Sequence, residues 1–159
     1  MVGDPHVLAP GQAPTPFTAD QIRAGCPDGR TIRMRVDVAG ETPVIRVNRF
    51  TDGDESGATL ERSGLSLDGA PLGPPDSARV SWHELQAHAS FPAADTTIEP
   101  ERIETPIGEL DCLRYTVRGA STEDVFWFAT DLPGMPIRYL TRVDGQVAVT
   151  VAVVDDAVR

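Results

Sequence analysis

The chain has 159 residues, 40% hydrophobic and 24% charged, and its 24 acidic against 14 basic side chains, all of the latter arginine, leave a formal net charge of −10. That length suits one domain, and the composition is globular rather than disordered. The acidic balance argues against nucleic acid and anionic membrane surfaces as partners, no apolar run approaches the roughly 18 residues that insert across a bilayer, and the absence of lysine excludes Schiff-base and pyridoxal chemistry.

Residues 1–16 hold four prolines among small polar residues without periodicity, and they read as a flexible arm ahead of a single domain spanning 17–159. They also lack the basic and apolar regions of an export signal, which predicts a cytoplasmic protein with Cys26 and Cys112 as thiols rather than a disulfide. Thr18-Ala19-Asp20-Gln21 has capping-box spacing, with Gly25 placed to end a short helix in a left-handed residue. Arg30 to Val38 alternates Ile32, Met34, Val36 and Val38 against Arg33, Arg35 and Asp37, the period of a half-exposed strand. Gly40 to Pro43 turns the chain into a partner strand, Val44 to Thr51. The run Asp52 to Gly57 spaces oxygens as a calcium loop does. A serine stands where the bidentate glutamate belongs, so a hairpin turn is expected and no metal.

One or two short strands over Gly57 to Leu67 lead into a Gly/Pro-rich loop, Asp68 to Asp76. Ser81-Trp82-His83-Glu84 is a second capping-box spacing, opening a short helix with Trp82 and Leu85 on its buried face. His83 and His88 lie roughly 140° apart around that helix and cannot grip one metal together. Thr97 to Glu104 should fold back on Glu109 to Arg118 through the turn Thr105-Pro106-Ile107-Gly108, with Leu113, Tyr115 and Val117 on one face and Cys112, Arg114, Thr116 and Arg118 on the other. Val125 to Ala129 is apolar on both faces, the mark of a strand covered on both sides. A loop, Asp131 to Pro136, precedes Ile137 to Val143 and Gln146 to Val154, which Asp144-Gly145 joins in a hairpin.

Eight to ten short strands with two short helices predict a mainly β (α+β) fold, a single curved antiparallel sheet or incomplete barrel. No nucleotide-binding glycine loop, nucleophile elbow, HExxH or paired CxxC occurs, so no cofactor is expected and an enzyme using His83 or His88 is a minority reading. The inward faces of the strands would line an apolar hollow that either takes an apolar small molecule or is filled by the two helices. In the first case Trp82, Tyr115, Trp127, Phe128, Met135 and Tyr139 are the candidate ligand-binding residues.

Three segments, Ile103-Glu104-Thr105-Pro106-Ile107-Gly108, Phe126-Trp127-Phe128-Ala129-Thr130-Asp131 and Pro136-Ile137-Arg138-Tyr139, resemble bacterial half-barrel proteins akin to the outer-membrane lipoprotein carriers. The resemblance covers the last third to half of the chain and rests on turn and strand residues. It implies an incomplete antiparallel barrel wrapped around helices, with a hydrophobic groove that holds acyl chains in the carriers. No catalytic residue carries over from it. The alternative function is a protein-interaction or structural module whose sheet face or edge pairs with another chain, a homodimer being the simplest form.

Overall fold

The computed structural model describes residues 3–159. Nine strands form one antiparallel sheet: β1 (Arg30–Val38), β2 (Val44–Thr51), β3 (Gly57–Ser66), β4 (Asp76–Ser81), β5 (Thr96–Thr105), β6 (Gly108–Arg118), β7 (Thr122–Ala129), β8 (Arg138–Val143) and β9 (Gln146–Val158). Their order across the sheet is β4-β3-β2-β1-β9-β8-β7-β6-β5. The sheet rolls far enough for β5 to approach β9 across three intervening strands, but no ladder joins β4 to β5, so the barrel stays open. Both edges are blunted. β4 is short and exposes Asp76, Ser77 and Arg79, while β5 carries Pro100 among Glu99, Glu101, Arg102 and Glu104.

Alternation decides which face looks inward. On β1, Ile32, Met34 and Val36 are buried while Arg35 is exposed, and each such burial contributes about 1.5–3 kcal/mol. The expected hairpin at Asp144-Gly145 forms with φ of 50° and 81°, the left-handed pair whose twist suits a two-residue connection. At Thr105 to Gly108 the hydroxyl of Thr105 donates to the Gly108 carbonyl at 2.7 Å and accepts from the Ile107 N–H at 3.2 Å. β3 is continuous, and β4, which the Gly/Pro-rich stretch concealed, pairs with its first half, Gly57 to Arg62. A Cβ at Gly57 would lie 2.0 Å from the Val80 carbonyl oxygen, so only glycine lets these strands approach.

Two short helices lie in the trough, α1 (Ala19–Gly25) and α2 (Trp82–Ala87). Thr18 and Gln21 form the reciprocal capping box, and Ser81 accepts from the Glu84 N–H at 3.0 Å. Gly25 does not adopt the expected left-handed conformation; the helix is capped by Cys26, and the glycine is needed because a Cβ there would stand 2.8 Å from the Pro133 ring. The turn at Asp52 to Gly57 is closed by Asp54, whose Oδ1 accepts from the Ser56 N–H and hydroxyl and from the Gly57 N–H.

Residues 3–16, the described part of the expected arm, make specific contacts with the domain. The buried Gln86 of α2 donates to the Pro5 carbonyl at 2.8 Å and to the Thr15 hydroxyl at 3.0 Å, and accepts from the Ala19 N–H at 2.9 Å. The Tyr115 hydroxyl donates to the Pro14 carbonyl at 2.7 Å, and the Ala13 N–H donates to the Phe91 carbonyl at 2.8 Å. Proline-rich backbone lacks donors but keeps its acceptors, and here a glutamine and a tyrosine take them up.

A buried ion pair ties α1, β1 and β9 together. Arg30 donates through Nε and Nη2 to both carboxylate oxygens of Asp156, at 3.0 and 2.7 Å, with 5% and 7% of the two side chains exposed. Its Nη1 reaches the carbonyls of Gly25 and Pro133 and the Cys26 sulfur, so every edge of the guanidinium is engaged.

Candidate functional site

The helices do not fill the trough. Between α2 and the sheet lies a cavity of about 340 Å³, at the small end of the range for ligand pockets. One wall is built from β2 and β3, where Asn48 and Phe50 face Arg62 and Leu60 in register. Leu85, His88 and Ala89 form the helical wall, and Gly134, Met135 and Pro136 close the side toward the β7–β8 loop.

The remaining surface is aromatic. Phe126 stacks on Phe91 with centroids 5.2 Å apart and an interplanar angle of 15°, and its ring lies 5.8 Å from Tyr139 and 6.2 Å from Phe128. Behind them Tyr115 and Phe17 meet Phe128 edge-on, at 5.3 and 6.3 Å. Such offset and edge-to-face contacts make a stiff wall, because each ring is held by the quadrupole of the next.

Of the six residues expected to contact a ligand, Phe128, Met135 and Tyr139 line the cavity. The other three stand outside its lining. Trp82 is turned into the β3–β4 end of the core, its indole N–H donating to the Asp54 carbonyl at 2.7 Å. Tyr115, 1% exposed, supports Phe128 from behind and spends its hydroxyl on the N-terminal segment. Trp127 lies on the opposite face of the sheet, opposite Arg114 in the β6–β7 register, donating to Glu101 Oε2 at 3.1 Å beneath the Arg138 guanidinium, which sits 4.6 Å from its ring centroid. Neighbouring residues on a strand point apart, so Trp127 and Phe128 could not both enter one hollow.

Asn48, Phe50, Leu60 and Arg62 are among the lining residues that sequence reading missed, as are Phe91 and Phe126. A signal for two of them was present in the parity of β2, which puts Arg46, Asn48 and Phe50 on one face. His88 borders the cavity, whereas His83 is exposed elsewhere on α2.

Nucleophilic chemistry finds little footing. Both cysteines are free thiols. Burial pushes the Cys26 thiol up, with the adjacent Arg30 opposing the shift, and burial followed by Glu101 and Asp111 pushes Cys112 up to about 11. A thiol held in its protonated form is a poor nucleophile. Among the described residues no cluster of three or more His, Cys, Asp or Glu side chains is arranged to hold a metal ion, and no helix is long and apolar enough to cross a membrane. In comparisons with known proteins, no family model matches the chain and no curated protein matches it significantly.

Proposed function

We propose that the protein binds a small apolar molecule in the trough, between α2 and the inner face of β2, β3, β7 and β8. The observation that carries this reading is the aromatic-walled cavity that persists beside α2 even though two helices and the N-terminal segment already occupy the rest of the hollow. A core whose only task is stability closes such a space, because an empty apolar volume forfeits dispersion contacts along its whole lining. The half-barrel resemblance supports the same reading, since the architecture it implies is an open antiparallel barrel around helices. On this proposal Phe128, Met135 and Tyr139 contact the ligand, joined by Phe50, Leu60, Phe91 and Phe126, while Tyr115 holds Phe128 in place.

The test is thermal unfolding of the purified protein with medium-chain alcohols, fatty acids and small aromatic acids, alongside native mass spectrometry of fresh material. Binding raises Tm with ligand concentration, and Leu60→Trp, which fills the cavity from β3, abolishes the shift. A panel that leaves Tm unchanged, with no retained mass, refutes the reading.

A further inference from the structure

The cavity is apolar except at one end, and the polar groups at that end are not spent on one another. Asn48 is only 6% exposed, yet its Oδ1 is buried without a hydrogen-bond partner among the described residues. Asn48 borders the cavity, where a ligand atom could supply what the protein does not. A hydroxyl fits this position in either orientation of the carboxamide, because it both donates and accepts.

Directly across the β2–β3 ladder from Asn48 stands Arg62, also on the cavity wall, and His88, at the C-terminal end of α2, lines the same cavity. Arg46 lies two residues before Asn48 on the same strand face. Most arginines of this acidic protein face a carboxylate, but Arg46 and Arg62 form no ion pair among the described residues. Asp76 sits opposite Arg62 in the β3–β4 register and still does not pair with it. An unpaired guanidinium, that of Arg62, and the His88 imidazole therefore line the polar end of an aromatic cavity, the guanidinium one cross-strand step from an unsatisfied buried amide.

From this arrangement we infer that the ligand is a hydroxylated acidic amphiphile: an apolar chain or ring against Phe126 and Phe128, a hydroxyl on Asn48, and a carboxylate between Arg62 and His88. The inference rests on the binding reading above and narrows it to a chemical class. The hydroxyl and the acid are separated by a few bonds, as in a 3-hydroxy acid, because Asn48 and Arg62 are direct neighbours across the ladder.

Calorimetric titration with 1-decanol, decanoate and 3-hydroxydecanoate separates the two levels. The expected order is 3-hydroxydecanoate tighter than decanoate by about tenfold, and decanoate tighter than 1-decanol by a similar factor. Asn48→Leu removes a group that the fold does not use, so it folds; it should bring 3-hydroxydecanoate and decanoate to within about twofold of each other. Arg62→Gln combined with His88→Gln, both exposed positions, should erase the advantage of decanoate over 1-decanol. If none of the three binds, the binding reading fails together with this one. If all three bind equally, or if the hydroxy acid keeps its advantage in Asn48→Leu, the cavity still takes apolar ligands but the assignment of Asn48 and Arg62 is overturned.

Discussion

Asp156→Ala should be among the most damaging single truncations in the protein. It deletes both oxygens that receive the Arg30 Nε and Nη2 protons and leaves a guanidinium at 5% side-chain exposure with acceptors only for Nη1. Removing one partner of a buried ion pair costs about 3–5 kcal/mol, because the survivor's charge has lost its solvent and gained nothing. For a chain of this length that is a fall in Tm of about 6–20 °C. Arg30→Met should cost a similar amount, since it strands the carboxylate and two backbone carbonyls. The double variant Arg30→Met/Asp156→Ala removes both charges and leaves only the carbonyls of Gly25 and Pro133 without their donor, so its cost falls well short of the sum. Urea unfolding of the four proteins, with unchanged m-values, gives the coupling, expected to exceed about 2 kcal/mol. Additive effects, or a cost below about 1 kcal/mol for Asp156→Ala, would refute the claim that this pair fastens α1 to the central strands.

Asn48→Leu should stabilise the protein by about 1 kcal/mol in urea unfolding even as it alters ligand preference, because an unpaired buried acceptor disappears. Gln86→Leu strips the N-terminal segment of its anchor on α2 and costs about 1–3 kcal/mol, with amide exchange accelerating at Thr15 and Ala19 before the sheet is affected. Gly57→Ala drives a methyl into the Val80 carbonyl, and circular dichroism should show β3–β4 pairing lost or the chain unfolded. In alkali the protein should lose stability between about pH 9 and 12. Burial raises Cys112 to about 11 and Tyr115 to about 12, so the folded state favours their protonated forms, and the stability this supplies is present below their ordinary values and lost as pH climbs through the raised ones. A pH-independent unfolding free energy across that window would contradict the assignment.

The strands that declared themselves were those whose two faces meet different surroundings. β1 alternates because water lies on one side of it, and Asp144-Gly145 stands out because few other dipeptides tolerate two left-handed residues. β4 lacked that signature: at an edge, with all of Asp76 to Arg79 exposed, its side chains meet solvent on both sides. Arg30 was half legible. It shares parity with Ile32 and Met34 and so belongs inside, but its partner lies 126 residues further on, beyond the reach of any local pattern. The site divides along the same line. Aromatic content marked β7, whereas the polar end of the cavity is assembled from β2, β3 and α2 across a register that only folding creates.

The position of β9 bears on how the molecule comes together. It is the last strand in chain order yet lies between β1 and β8, so the sheet consists of two four-stranded blocks, β1 to β4 and β5 to β8, with no ladder between them until β9 docks. Each block can zip up from neighbouring hairpins, but the seam must wait for residues some hundred positions apart to meet. That search slows folding and makes it sensitive to chain entropy. Until the seam closes, both blocks hold their apolar faces open to water and to each other's copies. Exchange of β9 between two chains is therefore the characteristic error expected of refolding at high concentration.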